Sequence, residues 1–133
     1  MKNILTIIFV LFTGLQVVAQ EENQWDENKV YSFVSQEAQP KEGIQRFYLN
    51  FSRRINIKDF SNDNREINAQ LEFVVEKDGS FSDIRVINDS QGIGQELMRV
   101  LKTMPKWNPG KYDEEIVRSR FILPIKIRIN INK

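Results

Sequence analysis

Between Ile67 and Val86 the chain alternates, turns and alternates again, and no other feature constrains its fold as strongly. Ile67, Ala69, Leu71, Phe73 and Val75 take every second position against Asn68, Gln70, Glu72, Val74 and Glu76. Successive side chains of a strand point to opposite faces, so this period of two predicts a strand with one buried and one wet face. Glu76-Lys77-Asp78-Gly79-Ser80 follows, and Asp78-Gly79 is a strong hairpin turn because both residues tolerate positive φ. Phe81 to Asn88 returns as the second strand, with Ile84 and Val86 apolar. A hairpin of this kind needs another element laid on its apolar face.

Two segments have the period to do so. Ile44, Phe47, Tyr48, Phe51 and Ile55 fall at spacings of three and four, with Gln45, Arg46, Asn50, Arg53 and Arg54 opposite, which predicts an amphipathic helix. The break Gln39-Pro40-Lys41-Glu42-Gly43 separates it from Val30 to Val34, VYSFV, whose β-branched and aromatic residues predict an extra short N-terminal strand. Gln95 to Met104 predicts a second helix, with Leu97, Val100, Leu101 and Met104 as its stripe.

MPKWNPGK, Met104 to Lys111, follows that helix at once. Pro105 disfavours helical geometry at Met104 and stops the helix, while Pro109-Gly110 is a turn before the next strand. Trp107, held in extended chain between the two prolines, is expected to cover an edge of the core with a large buried area.

From Val117 the period is two again, with Ser119, Phe121, Leu123, Ile125, Ile127, Ile129 and Ile131 on the same face as Val117. The other face carries Arg118, Arg120, Ile122, Pro124, Lys126, Arg128 and Asn130. Pro124 cannot donate to a ladder, which places this strand at a sheet edge or at a bulge. The cations have two readings: they guard an exposed edge against indiscriminate pairing, or they mark a strand to which a partner adds its own extended segment.

Composition narrows the function classes. A chain of 133 residues is long enough for one domain and too short for two ordinary ones. The formal charge of +1 includes Lys2 and implies no polyanion partner, hence no nucleic acid. Without cysteine there is no disulfide scaffold, and without histidine the commonest general base and transition-metal ligand are missing. Asp78 and Asp83 read as turn residues rather than a catalytic pair, since no nucleophile or proton partner accompanies them. The loop Ser61 to Glu66, SNDNRE, lacks the ligand order of a calcium loop, and Gly92-x-Gly94 lacks the third glycine of a nucleotide fingerprint. No catalytic residue, metal site or cofactor is therefore expected. A small secreted hydrolase would have to work without histidine, cysteine or a serine-nucleophile motif.

The N-terminus points to the envelope. Lys2 precedes the uncharged run Ile4 to Ala19, which closes on Val17-Val18-Ala19 and reads as a cleaved secretory signal over residues 1–19. A membrane anchor is the rival reading, against which stand the run's length and its Thr6, Thr13, Gly14 and Gln16. Residues 20–29, polar with Trp25, are expected to be a flexible mature N-terminus ahead of a domain over 30–133.

Taken in order, FVVEKDGSFSDIRV (Phe73 to Val86), LMRVLKTMPKWNPGK (Leu97 to Lys111) and IVRSRFILPIKIRI (Ile116 to Ile129) resemble the C-terminal domain of TonB, in the form found in Bacteroidetes-type bacteria. VYSFVSQEAQPKEGIQRFYLNFSRRI resembles that group's lead-in strand and first helix. The resemblance implies an α+β fold with two helices on one face of a three-stranded antiparallel sheet, the last strand lying at the edge. It implies that Pro105, Trp107, Pro109 and Gly110, with the Asp78-Gly79 turn, are architecture, and that Arg118 to Arg128 is the docking strand. The partner it implies is an outer-membrane TonB-dependent transporter, or a component of the TonB system, in the periplasm. The free strand would also suit a homodimer. A full transducer carries an anchor histidine and a long Pro-rich spacer, and the usual Tyr-Pro after the first helix is replaced here by Ile57-Lys58-Asp59-Phe60. The expectation is a binding module that does not itself transduce energy, with an inner-membrane-anchored part of a split transport system as the alternative.

Overall fold

Ten elements follow one another in the computed structural model, which describes residues 26–58, 66–89 and 92–128. They are β1 (Val30–Tyr31), β2 (Gln39–Pro40), α1 (Ile44–Arg54), β3 (Glu66–Val75), β4 (Phe81–Asp89), α2 (Gly94–Thr103), β5 (Trp107–Asn108), β6 (Lys111–Tyr112), β7 (Glu115–Ile116) and β8 (Arg118–Arg128). The signal-like run 1–19, Trp25 with the polar residues before it, the loop positions 61–65 and the terminal Ile129, Asn130 and Ile131 lie outside the described residues.

The expected three-stranded antiparallel sheet is not what forms. The main sheet has four strands in the order β1-β8-β3-β4 and is mixed, because β1 runs parallel to β8. Two small two-stranded sheets, β2-β5 and β6-β7, accompany it. The alternation of Ile67 to Val75 makes β3 the centre: it pairs with β8 in unbroken register from Glu66↔Arg128 to Val75↔Ser119, and with β4 on its other side. The last strand is therefore an interior strand at its start, where Val30 faces Arg118 and Tyr31 faces Ser119. Only Val30 and Tyr31 of the expected VYSFV strand enter the sheet, and Phe33 is 88% exposed.

The reason is that the lead-in chain has a second set of partners. After β1 it turns from the sheet toward the segment behind α2: Gln36 and Lys111 exchange amide bonds of 3.0 and 2.8 Å, and Gln39 and Pro40 pair with Asn108 and Trp107. Short patterns do not reveal such a choice, since the segment's own residues suit either course.

Both helices contribute to one core with the odd face of β3. Phe47 and Phe51 from α1, and Leu97, Val100 and Leu101 from α2, join Ile67, Leu71, Phe73 and Val75 in a single buried cluster with Leu123 and Ile125 of β8. Trp107 is 1% exposed and sits within this cluster rather than over its edge. Its indole meets Phe47, Phe73, Phe81 and Phe121 edge to face at centroid separations of 5.0, 5.5, 5.6 and 4.9 Å. Pro105 acts as the sequence implies: Met104 is extended at ψ 151°, so the chain leaves α2 straight into the core.

The hairpin turn is fixed to the same tryptophan. Gly79 has φ 84°, its carbonyl accepts the Trp107 amide at 2.9 Å, and a Cβ there would lie 1.9 Å from the Trp107 carbonyl oxygen. Asp78 completes the turn by accepting from the Ser80 amide and hydroxyl at 2.9 and 2.6 Å.

A polar seam ties the ends of the helices. The Glu96 carboxylate accepts the Asn56 amide at 2.9 Å, Arg99 donates to the Arg54 carbonyl at 3.2 Å, and Arg54 donates to the Thr103 carbonyl at 2.8 Å. Each arginine thus satisfies a carbonyl in the other helix's last turn. The bidentate Arg99 contact, helped by the Asn56 amide and opposed by partial desolvation, holds the Glu96 carboxyl at about 2, against an ordinary 4.5.

Gly79→Ala is expected to cost more than about 2 kcal/mol, since it combines left-handed backbone strain with a clash against main chain. Glu114, at φ 70° in the two-residue turn between β6 and β7, offers the opposite case. Glu114→Gly is expected to gain about 0.5–1 kcal/mol in urea titrations, because glycine holds a left-handed conformation without the steric cost of a Cβ. For Glu96 the folded pKa is the lower one, so its contribution is complete above about pH 4.5 and is lost as pH falls toward about 2. Melting temperatures of the wild type and Glu96→Gln should converge over that window, and parallel pH profiles would refute the assignment.

Candidate functional site

The cations of β8 have side-chain partners. Arg118 grips Glu76 with two bonds of 2.6 and 2.9 Å and donates to the Asn28 carbonyl at 2.6 Å. Arg120 pairs with Glu72 at 2.6 Å and lies 3.6 Å from Asp83. Lys126 and Arg128 share Glu66 at 3.3 and 3.6 Å. Glu66, Glu72 and Glu76 come from the even face of β3 and its turn and Asp83 from β4, and their pairs, directly opposite for Glu66 and Arg128 and diagonal for Glu72 and Arg120, form a ladder on the face away from the helices. The Arg118 guanidinium holds the Glu76 carboxyl below its ordinary value, and Asn68 followed by Lys126 does the same for Glu66. The basic stripe of the sequence is accordingly a neutralised surface.

What β8 leaves open is main chain. Alternate residues of a strand turn their amide and carbonyl groups to alternate edges. Pro124 has no amide hydrogen, and its carbonyl accepts a 3.0 Å bond from the Tyr48 hydroxyl of α1. Arg120, Ile122, Lys126 and Arg128 share its parity in an unbroken register, and Arg118, with the same parity, is the residue beside β1. Their backbone groups therefore face the edge opposite β3. Among the described residues no strand pairs with this edge beyond Ser119.

The other edge of the sheet is shaped differently. On β4 the register against β3 shifts twice, at Ile87 and again at Asp83 and Ile84, and Asp83 takes φ 46°. Such bulges twist an edge away from further pairing. Asp83 is also bonded to Arg85 at 3.0 and 3.2 Å, and Asp78 to Ser80 and Lys106, so both carboxylates serve local turns.

Beside the β8 edge runs a groove of about 560 Å³ between α1 and residues 124–127. Tyr48 and Leu49 of α1 and Ile55 at its end form one wall, and among the described residues Lys126 is the one charged lining residue. Leu49 is 49% exposed there, and Ile122 is 53% exposed further along the strand. A second cleft, of about 370 Å³, lies where the start of β8 meets residues 26–31, but it mixes acids and bases with no convergent set. Among the described residues no group of three or more His, Cys, Asp or Glu is placed to hold a metal.

The sequence-predicted residues thus fall into two groups. Pro105, Trp107, Pro109, Gly110, Asp78 and Gly79 belong to the segment and turn around the buried Trp107; Gly110 packs so closely on Ser119 that a Cβ would lie 2.7 Å from its hydroxyl. Arg118, Arg120, Ile122, Pro124, Lys126 and Arg128 line one strand, but Arg118 is covered by β1 and only the later positions border open edge. Sequence reasoning missed the groove: Tyr48 reads as part of the helix stripe, and Leu49 belongs to neither the stripe nor the polar side. The missing donor of Pro124 was the one signal that something other than a strand meets the chain there.

None of the described helices is long and apolar enough to cross a membrane. No protein-family model, no curated protein and no solved structure matches the chain.

Proposed function

We propose that this protein is a periplasmic binding module, related to the TonB C-terminal domain, which holds an extended segment of an outer-membrane transporter or another envelope protein by adding it to the outer edge of β8. Strand addition takes its affinity from main-chain hydrogen bonds and its specificity from pockets for alternate side chains. The observation that carries the proposal is the asymmetry of the two sheet edges. β4 is broken by two bulges, while β8 runs in regular register with outward-facing backbone beyond Ser119 and a groove alongside. The reading rests on this edge, not on a three-stranded sheet. Its envelope location rests on the signal-like run behind Lys2.

The test is a titration of the isotope-labelled protein with peptides copying the N-terminal segments of TonB-dependent transporters from the same organism. Amide resonances of β8 beyond Ser119 are expected to shift in at least one stretch, while those of β4 stay in place. If every peptide leaves β8 unperturbed in a protein that remains folded, transporters are not its partners.

A further inference from the structure

The edge of β8 is not uniform, and the interruption lies at one position. Pro124 offers an incoming strand no amide, and its carbonyl is already occupied by the Tyr48 hydroxyl. At this place the edge cannot donate, and the Tyr48 hydroxyl stands where an incoming amide would approach the carbonyl. Toward the start of the strand, β1 covers Arg118 and Ser119, which leaves only Ile122 and its immediate surroundings. Toward the end, Lys126 and Arg128 face outward next to the groove, whose walls are Tyr48, Leu49, Ile55 and Ile127.

Partial burial raises the Tyr48 hydroxyl above its ordinary 10.0, so it remains a donor throughout the physiological range. The latch is therefore closed in the free protein. The elements that form the groove also constrain what can lie in it. Neither α1 nor β8 contains an acid, whereas α1 carries Arg46, Arg53 and Arg54, and Lys126 is part of the lining. The nearest carboxylate to that lining, Glu66, is already shared by Lys126 and Arg128, so a lysine or arginine entering here would find no free acid on either wall among the described residues.

We infer that Tyr48 and Pro124 set the register of docking, so that a bound segment pairs with Lys126 and Arg128 and lays an aliphatic side chain into the α1 groove, flanked by neutral or acidic residues. This rests on the strand-addition reading above and narrows it to one half of the edge and one class of peptide. Tyr48 acts as a positioning residue, because it closes the rest of the edge; Leu49 is the contact that selects the side chain.

Selection of a phage-displayed random peptide library on the full protein tests this with no natural partner in hand. Enriched peptides are expected to share an aliphatic position and to lack lysine and arginine beside it. Synthetic copies should perturb the amides of residues 125–128 strongly and those of 120–122 little. Leu49→Arg, at a half-exposed position, should weaken them by at least about tenfold with the native spectrum retained. Tyr48→Phe keeps the ring but frees the Pro124 carbonyl, and should extend the perturbation back to Ile122. Peptides that perturb the whole edge equally in the wild type, or bind Leu49→Arg with unchanged Kd, overturn the register assignment and leave strand addition standing. If no selected peptide touches β8, strand addition itself fails. Shifts of the same amides with protein concentration alone would mean that a second copy fills the groove, and would overturn the peptide assignment.

Discussion

One side chain joins every layer of this domain. Trp107 touches α1 through Phe47, β3 through Phe73, β4 through Phe81 and β8 through Phe121, and its amide is bonded to the turn between β3 and β4. Removing so large a ring costs about 3–5 kcal/mol in a closed core, a large fraction of the stability of a domain this size. The indole nitrogen is buried without an acceptor among the described residues. An unmet donor costs about 1–3 kcal/mol, and the faces and edges of four phenyl rings return only part of that directly. The aromatic contacts outweigh the loss, since edge-to-face pairs add about 0.5–1.5 kcal/mol each beyond burial.

The same segment decides what the sheet exposes. Because Trp107 and Asn108 pair with Gln39 and Pro40, and Lys111 with Gln36, the lead-in chain is drawn away from β8 after Tyr31. Had all of VYSFV continued along the sheet in the same register, Val34 would have faced Ile122 and the cover would have run that far. Gly110 and Gly79 permit this arrangement, because a Cβ at either would collide with Ser119 or with the Trp107 main chain. Core packing at Trp107 therefore ends the cover of β8 near Ser119, and the open edge is a consequence of how the core closes.

Much of this was legible in the chain itself, and the parts that were not share a cause. Periodicity located both helices and the strands β3 and β4 to within a residue or two, together with the start of β8, whose expected last residues lie outside the described ones; the helices, β3 and β8 bury one face, while β4 has only half-buried and exposed positions. Pro105 marked the end of α2 for a steric reason that needs no tertiary context. Sheet order was not legible. Val30 and Tyr31 suit parallel or antiparallel neighbours alike, and their choice depends on where residues 36–40 are held. The ion-pair ladder was also hidden, although its acids and bases were in plain view, since Glu66, Glu72 and Glu76 meet their partners only once β3 and β8 are known to be adjacent. Tyr48 escaped notice because a helical stripe explains it sufficiently.

The ladder changes what the basic strand can be for. Read alone, Arg118, Arg120, Lys126 and Arg128 invite an anionic partner, yet each has a carboxylate from the neighbouring strand or its turn within salt-bridge reach. Such pairs contribute little stability where they are exposed, about 0–1 kcal/mol each, but they cancel the field that would draw polyanions. Charge on that face therefore guards and aligns the β3-β8 pair. If a segment docks as proposed, selectivity is left to the outward backbone of Lys126 and Arg128, which no strand pairs among the described residues, and to the apolar wall at Leu49, and these act over a few ångströms. A neutralised surface of that kind suits recognition by shape and backbone direction at contact better than by net charge at a distance.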